Sequence, residues 1–299
     1  MQPLLVTGLT GLVASRFQEL YSQDFDLTNI DLATGIDITD QAVVNQVVVH
    51  SPASALIHFA AFTNVDAAAA QNGDKSGSCY RVNVLGTKNI AQACAQNNKY
   101  LVHISTNFVF DGVNPPAGGY IETSLPHPIE WYGQTKLWAE EEVAKSGATY
   151  CIARITYPFR AYYPQKLDLI RSIISKLKFV SLPPQFTDHI ITPTFIDDIA
   201  AALKAILDHR PTGIFHVVGS SNLSDYQIAL QVAHTFNLNE AQVQPGSLED
   251  YLKANPRPYQ KNLTTSNTKL KRELGVTMRS LDEALLEMKR QLYGHTPGV

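Results

Sequence analysis

Residues 3–14 have the sequence PLLVTGLTGLVA, which combines a short apolar strand, a turn with two glycines and the beginning of a helix. The apolar residues 3–6 suit a buried strand, and residues 15–21 continue as a helix. Gly8 permits the tight turn, and Gly11 allows the backbone to approach a pyrophosphate. Unpaired N–H groups at the beginning of the helix would then face phosphate oxygens. The stretch favours a dinucleotide-binding turn over an ordinary connection between a strand and a helix.

The residues around this turn predict further contacts with a dinucleotide. Leu12 and Val13 lie between Gly11 and the predicted helix, and Ala14 occupies the third glycine position, a change that the pattern tolerates. Asp31 ends a second strand, residues 25–31, about 20 residues beyond the glycines. A carboxylate there can accept hydrogen bonds from the adenosine ribose and would repel a 2′-phosphate. The expected cofactor is therefore NAD(P)H, with NAD favoured over NADP.

Two later segments extend the predicted cofactor site. Asp37 is placed to meet an adenine amino group, and Ile38 to cover the face of the adenine ring. Residues 55–61 form a third apolar strand. The small side chains of Ala60 and Ala61 at its end would let a cofactor pass close to the backbone.

The stretch 103–141 contains the predicted catalytic residues. Tyr132 and Lys136 lie four residues apart among good helix formers, so both side chains should project from one helical face. Thr106 ends a β-branched apolar strand, where sites form in open α/β sheets. A lysine cation beside a tyrosine favours the phenolate, so we expect the pKa of Tyr132 to fall from about 10 towards neutral. The trio predicts proton transfer at a substrate oxygen, whereas this spacing alone is most often an ordinary helix.

Two histidines and one helix each have a structural interpretation as well as a functional one. His58 and His103 lie within apolar runs, which favours core histidines over catalytic ones. The helix predicted over residues 80–97 carries apolar residues at helical spacing. Its outer face could pack against a second subunit in a homodimer, and it could equally do no more than cover the sheet.

The composition excludes several other classes of protein. The 299 residues are 44% hydrophobic and 17% charged, which is ordinary for one large globular domain or two unequal ones. A net charge of −3 without a basic cluster argues against nucleic acid as a partner. Three scattered cysteines fit neither a disulfide framework nor a zinc site, and no apolar run reaches the length of a membrane span. We expect a soluble cytoplasmic protein with no bound metal and no membrane partner.

Several motifs together resemble the extended short-chain dehydrogenase/reductases, in particular the branch of dTDP-4-dehydrorhamnose reductase. They are spread over most of the chain: TGLTG at 7–11, AAFTNVD at 60–66, VNVLGT at 82–87, ISTNFVFDG at 104–112, YGQTKL at 132–137, TPTFIDDIA at 192–200 and RPYQKNL at 257–263. The run STNFVFDG is the most discriminating of them. The resemblance implies a nucleotide-sugar substrate.

The resemblance also implies roles for individual residues. Thr106, Tyr132 and Lys136 correspond to the catalytic hydroxyl, the acid, and the lysine that also binds the nicotinamide ribose. Four further positions correspond to residues near the sugar: Thr63, Val65, Asn107 and Tyr157. Two of them depart from the family pattern, since Asn107 stands where an aspartate is usual and Tyr157 where a tryptophan is usual. The exact sugar is therefore left open.

The order of the predicted elements suggests two domains of an α/β protein. Residues 1–155, with about 190–220, are expected to form an NAD(P)-binding Rossmann-type domain, a doubly wound parallel sheet. Residues of about 156–189 and 221–299 are expected to form a smaller, discontinuous C-terminal substrate domain, with a frayed tail at 295–299. Arg257 in this domain is a candidate pyrophosphate clamp, because a guanidinium binds phosphate in a bidentate manner. A surface arginine in a proline-rich turn is the alternative.

These observations favour an enzyme that reduces the 4-keto group of a nucleotide-activated deoxysugar with NAD(P)H. A nucleotide-sugar epimerase of the same superfamily needs the same three residues and stays open. Dehydratases typically carry an Asp-Glu pair where this chain has Asn107-Phe108, so dehydration is disfavoured. The second alternative is a non-catalytic, dinucleotide-binding regulatory subunit that resembles the one of methionine adenosyltransferase.

Overall fold

The computed structural model describes residues 1–294, so the frayed tail predicted at 295–299 lies outside the described residues. The described chain forms two units, each with its own internal contacts. The first unit comprises Met1–Asp111, Glu122–Arg154 and Ala200–Phe215. The second comprises Gly112–Ile121, Ile155–Ile199 and the chain from His216 onward.

The secondary structure alternates between strands and helices. The strands are β1 (Gln2–Thr7), β2 (Phe25–Asn29), β3 (Ala55–His58), β4 (Tyr100–Thr106), β5 (Tyr150–Ile155), β6 (Pro158–Phe159), β7 (Gln185–Phe186), β8 (Ile190–Ile191), β9 (Thr194–Phe195), β10 (Gly213–His216), β11 (Leu223–Ser224) and β12 (Pro245–Gly246). The helices are α1 (Leu12–Tyr21), α2 (Gln41–His50), α3 (Val65–Ala69), α4 (Ser78–Tyr80), α5 (Thr87–Gln96), α6 (Trp131–Lys145), α7 (Leu169–Phe179), α8 (Ile196–His209), α9 (Asp225–Thr235), α10 (Leu248–Ala254), α11 (Thr268–Leu274) and α12 (Leu281–Tyr293). A π-helical segment, Arg81–Gly86, joins α4 to α5, and a 3₁₀ turn, Asn107–Val109, follows β4.

The sheet of the first unit has the strand order β10-β5-β4-β3-β1-β2. Strand β1 pairs in parallel with both β2 and β3, and β3 pairs in parallel with β4. The chain therefore leaves β1 towards one edge and then returns to build the sheet in the other direction. At such a switch point the segments that follow two neighbouring strands run to opposite faces of the sheet, and α/β proteins bind ligands in the crevice between these segments. The predicted Rossmann-type doubly wound parallel sheet is confirmed.

Strands β3 and β4 lie in the interior of the sheet, and their side chains suit this position. Every residue of both strands is buried, as expected for parallel strands covered on both faces. The core cluster on one face draws its apolar side chains from the sheet and from the covering helices α2 and α5, among them Leu5, Val44, Leu56, Ile90 and Leu101. The polar residues at the carboxyl ends of these strands are thereby held in fixed positions.

The second unit has a separate apolar core. Helices α7, α9 and α12 contribute most of it, including Ile173, Val232 and Leu285, each buried. Two of these helices begin with a capping box, Ser224 with Gln227 and Ser280 with Glu283. Short strand pairs, β8 with β11, β7 with β12 and β6 with β9, complete the unit.

No helix within residues 1–294 is both long and apolar enough to cross a membrane. Among the same residues, no group of three or more His, Cys, Asp or Glu side chains is placed to hold a metal ion.

Candidate active site

The glycine turn after β1 is held by hydrogen bonds that only this backbone permits. Gly8 has φ +71°, and a Cβ added there would lie 2.8 Å from the backbone nitrogen of Ala60. The Gly11 N–H donates to the Gly8 carbonyl over 2.9 Å, and Gly11 caps α1. The side chains of Leu12 and Val13 are half-buried in the first turn of α1. The N-terminus of α1 and two glycines without side chains therefore lie together, an arrangement that suits phosphate groups.

Asp31 supports this turn from the end of β2. Its Oδ2 accepts the Gly8 N–H over 2.6 Å, and its Oδ1 accepts from Asn29 Nδ2 over 3.0 Å and from the Ala33 N–H over 2.8 Å. The carboxylate is only 8% exposed. Sequence reasoning assigned Asp31 to the ribose alone and missed the bond with Gly8, which joins two strands that are distant in sequence.

The remaining predicted cofactor residues differ in exposure. Asp37 accepts the Thr39 N–H over 2.8 Å, and this bond holds the pKa of Asp37 below its usual value. Ile38 is only 6% exposed and packs against Gly86. Ala60 and Ala61 are half-buried after β3. A contact of Asp37 and Ile38 with adenine stays a prediction, and the burial of Ile38 leaves little of its side chain for such a contact.

Thr106 and Tyr132 are brought together as expected. Thr106 ends β4, and its Oγ1 accepts the Phe108 N–H over 3.2 Å. The Thr106 hydroxyl is also hydrogen-bonded to the Tyr132 phenol. The Tyr132 ring meets the Phe108 ring edge-on, with 5.9 Å between the centroids. The two hydroxyls therefore form a pair to which a third oxygen, such as a carbonyl, can bind.

Lys136 lies one helical turn after Tyr132, but its ammonium group is bound to β4. Its Nζ donates to the Ile104 carbonyl over 2.7 Å and lies 3.3 Å from His103 Nε2. The side chain is almost fully buried, and this burial lowers the pKa of Lys136 to about 8, against the opposing field of Glu140. The cation is therefore held against β4 by two neutral acceptors.

The expected fall in the pKa of Tyr132 is not found. Burial raises the pKa of Tyr132 above 10, the negative charge of Glu130 adds to the rise, and the Thr106 hydrogen bond opposes it. The expectation failed because removal of water from the phenol outweighs the interactions that favour the phenolate. A phenol with a raised pKa is protonated at neutral pH, which suits a proton donor.

Contacts at the beginning of α6 fix the position of Tyr132. The Glu130 carboxylate accepts the N–H groups of Tyr132 over 2.8 Å and of Gly133 over 2.6 Å. A Cβ at Gly133 would lie 2.2 Å from the Phe108 carbonyl oxygen. The helix can therefore approach the loop after Thr106 only because residue 133 has no side chain.

A polar cluster behind Tyr132 was missed by sequence reasoning. Asn83, in the π-helical segment, accepts the Phe62 N–H over 2.7 Å and donates to Thr135 Oγ1 over 3.0 Å. Thr135 Oγ1 in turn donates to the Tyr132 carbonyl over 2.8 Å and lies 3.4 Å from Cys79 Sγ. The only signal in the sequence was a polar residue at a core position of a helical run. This cluster connects the loop after β3 to helix α6.

A buried ion pair lies beside the lysine. Glu140 Oε2 is 2.6 Å from Arg154 Nη2, Glu140 Oε1 accepts from Arg154 Nε over 2.9 Å, and both side chains are buried. The Ser105 hydroxyl donates to the same carboxylate over 2.5 Å. Arg154 lies in β5 among apolar residues, and no local pattern in the sequence indicates that Glu140 is its partner.

The two histidines differ in their surroundings. His58 Nδ1 lies 2.7 Å from Thr7 Oγ1 and its Nε2 lies 3.0 Å from Thr87 Oγ1, so it is a hydrogen-bonded core histidine. Burial lowers the pKa of His58 to about 3. His103 is also a fully buried core histidine, and its Nε2 lies 3.3 Å from Lys136 Nζ.

The predicted sugar-binding residues belong to both units. In the first unit, Thr63 is exposed, Val65 begins α3 and Asn107 is buried directly after Thr106. In the second unit, Tyr157 is half-buried and has φ +38°, a left-handed conformation that is strained for a tyrosine. Such strain is common at ligand sites.

Arg257 lines a cavity that lies within the second unit. The cavity has a volume of 480 Å³. Its lining includes the rings of Phe186, Tyr251 and Tyr259 and the carboxylate of Asp225. The Arg257 guanidinium stacks on the Tyr259 ring, 5.0 Å from its centroid. Asp225 Oδ2 lies 2.7 Å from Nδ1 of the buried His189. Aromatic faces beside a guanidinium suit a planar, negatively charged ligand.

Comparisons with known proteins agree with this architecture. The family model for the RmlD substrate binding domain matches residues 1–293. The dTDP-4-dehydrorhamnose reductase of Aggregatibacter actinomycetemcomitans is 28% identical over 78% of this chain and 78% of its own length. Methionine adenosyltransferase 2 subunit beta of Xenopus laevis is 26% identical over 92% of this chain and 83% of its own length. The crystal structure of dTDP-4-dehydrorhamnose reductase from Bacillus anthracis in complex with NADP is 26% identical, with a TM-score of 0.83, and the match covers 97% of this chain and 99% of that one.

Proposed function

The chain belongs to the RmlD substrate binding domain family, and we propose that it reduces the 4-keto group of a nucleotide-activated deoxysugar with NAD(P)H. The resemblance to extended short-chain dehydrogenase/reductases is thereby confirmed. The observation that carries the proposal is the hydrogen-bonded pair of Thr106 and Tyr132, with Lys136 one helical turn away. An oxidoreductase of this type needs this trio beside a dinucleotide turn, and the first unit contains both.

The glycine turn of the first unit fits a dinucleotide. Gly8 and Gly11 present no side chain to a ligand, and the first N–H groups of α1, at Leu12 and Val13, are suited to phosphate oxygens. A bound NAD(P)H would supply the hydride for the carbonyl carbon. We propose that the Asp31 carboxylate meets the adenosine ribose and favours NADH. The NADP complex of the Bacillus anthracis reductase is a reason to test both forms.

Each of the three residues Thr106, Tyr132 and Lys136 has a different role in the reaction. Tyr132, whose phenol is protonated at neutral pH, donates its proton to the oxygen that becomes the 4-hydroxyl. The Thr106 hydroxyl holds this oxygen in line with the phenol. Lys136 contributes a positive charge one helical turn from Tyr132 and a donor for the nicotinamide ribose. Proton transfer and positioning are thus assigned to different groups.

The cavity of the second unit is the proposed site of the nucleotide. The rings of Phe186, Tyr251 and Tyr259 offer faces for a base, and the Arg257 guanidinium offers two donors to a diphosphate. Tyr157, Thr63, Val65 and Asn107 stay our candidates for the sugar. The homodimer and the cytoplasmic location stay predictions from the sequence.

A regulatory subunit is the second candidate function, because the Xenopus laevis methionine adenosyltransferase subunit matches a larger share of the chain than the bacterial reductase does. The intact trio favours the enzyme. An epimerase would use the same trio and the same cofactor, but without net oxidation of NAD(P)H.

The test is a reaction of the purified chain with dTDP-4-keto-6-deoxy-sugar and either NADH or NADPH, followed by the loss of reduced cofactor and by analysis of the sugar. Stoichiometric oxidation with formation of the 4-hydroxy sugar supports the reductase. A changed sugar without oxidation supports the epimerase. Dinucleotide binding with neither change contradicts the reductase and favours the regulatory subunit.

A further inference from the structure

Lys136 is held by acceptors that carry no charge. An ammonium group has three N–H donors. One donates to the Ile104 carbonyl over 2.7 Å, and His103 Nε2 lies 3.3 Å from the same nitrogen. These are the two partners of Nζ within hydrogen-bond reach among residues 1–294. The remaining donor is left for a ligand.

The nearest carboxylate is occupied elsewhere. Glu140 lies one turn after Lys136 on α6, and its field acts on the lysine. Its oxygens, however, bind the guanidinium of Arg154 and the hydroxyl of Ser105. The positive charge of Lys136 is therefore not neutralised by an ion pair of its own, although the side chain is buried.

The contact with Lys136 fixes the protonation of His103. A nitrogen that accepts from an ammonium carries no proton, so the neutral ring must carry its proton on Nδ1. His103 Nδ1 is buried and has no hydrogen-bond partner. An unpartnered buried donor is costly, so the ring is held in its orientation at the expense of stability. The site gains an acceptor aimed at Lys136.

We propose that His103 is a positioning residue for catalysis, a neutral acceptor that directs the Lys136 ammonium towards the dinucleotide and the hydroxyl pair without cancelling its charge. This inference rests on the proposed function and deepens it. A carboxylate at this position would neutralise the cation, and an apolar side chain would leave it short of an acceptor.

The groups that surround His103 and Lys136 agree with this role of His103. On β3, the ring of His58 lies 5.4 Å from the ring of His103 and is bound to Thr7 and Thr87. On α6, Tyr132 and Glu140 flank Lys136, and Cys79 on α4 acts on both Lys136 and Tyr132. Burial, Lys136 and His58 together hold the pKa of His103 well below its usual value. His103 is therefore neutral across the pH range of the assay.

The experiment compares His103→Leu with His103→Gln. Glutamine places an acceptor near the position of Nε2, whereas leucine has none. The pKa of Lys136 would be measured by NMR of protein labelled at lysine Cε, with Lys136→Met to assign the signal. In His103→Leu we expect this pKa to fall by about one unit, because the ammonium loses an acceptor. We also expect about a tenfold weaker affinity for NADH, a fall in kcat and a lower alkaline limit of activity. His103→Gln should restore all of these in large part.

His216→Gln is the matched control, because His216 is also fully buried but bonds to the Ser266 carbonyl. It should change stability without changing the pKa of Lys136. The inference is overturned if His103→Leu leaves both the Lys136 pKa and NADH affinity at wild-type values, or if His103→Gln rescues neither. Both readouts are independent of sugar turnover, so they separate a failure of this inference from a failure of the proposed reaction.

Discussion

Replacing Lys136 by methionine should remove a pH-dependent contribution to the stability of the protein. Lys136 is 2% exposed, and burial lowers its pKa from 10.5 to about 8. At pH values between these two pKa values, Lys136 is protonated in the unfolded chain but largely deprotonated in the folded chain. The wild type therefore gains stability as the pH rises. Methionine fills a similar volume and binds no proton. The variant should therefore lack this gain.

The size of the effect follows from the pKa of Lys136. A fall from 10.5 to about 8 disfavours the charged lysine in the folded protein by about 3 kcal/mol at neutral pH, at about 1.4 kcal/mol per pKa unit. Between pH 7 and pH 9 the wild type should recover about 1.4 kcal/mol of this, because folded Lys136 loses its proton near pH 8 while the unfolded lysine keeps it. Lost hydrogen bonds to Ile104 and His103 add a cost to the variant that does not depend on pH.

Urea unfolding of both proteins at pH 7, 8 and 9 would measure the difference. The stability of the wild type relative to Lys136→Met should rise by about 1.4 kcal/mol across this range. Lys204→Met is the control, because a hydrogen bond with Asp208 raises the pKa of Lys204 in the folded chain. An unfolded lysine is also protonated between pH 7 and pH 9, so this control should show no change with pH. A Lys136→Met difference that is the same at all three pH values would refute a buried lysine with a lowered pKa.

Three further substitutions test the packing and the ligand site. Gly133→Ala should lower stability by about 1–3 kcal/mol, since its Cβ would overlap the Phe108 carbonyl, and an unchanged Tm would contradict this packing. Arg154→Met should lower the free energy of urea unfolding by about 3–5 kcal/mol, because it leaves the buried Glu140 without its ion-pair partner. A loss smaller than that caused by replacing an exposed arginine with methionine would contradict a stabilising ion pair. Arg257→Gln should weaken calorimetric binding of dTDP about tenfold and leave NADH binding unchanged, and an equal loss for both ligands would argue against a diphosphate clamp.

Local patterns in the sequence were sufficient to predict the parallel sheet and the positions of Thr106, Tyr132 and Lys136. The strand, turn and helix of residues 3–14 form as expected, because glycine spacing and apolar runs act over a few residues. Tyr132 and Lys136 share a helix because their spacing matches its period. The pairing of Thr106 with Tyr132 followed from the resemblance and from the position of Thr106 at a strand end.

Contacts between distant residues were not predictable. The sequence indicated that His103 is a core residue but not that it contacts the Lys136 ammonium group. The pKa of Tyr132 depends on how far the folded protein removes water from the phenol, which no local pattern predicts. Residues 112–121 belong to the second unit because the Tyr120 N–H donates to the Thr264 carbonyl over 2.8 Å. No local pattern indicates a backbone bond across so many residues.

The central claim is that Tyr132 donates the proton in the reduction of a nucleotide-linked keto sugar. The most direct measurement compares the wild type with Tyr132→Phe in the oxidation of NAD(P)H by dTDP-4-keto-6-deoxy-sugar, with dinucleotide affinity measured on the same samples. Loss of the hydroxyl should lower kcat by about 10²- to 10⁴-fold and leave dinucleotide affinity within about a factor of three, because only the transition state uses that proton. A Tyr132→Phe variant that turns over at the wild-type rate would contradict the account.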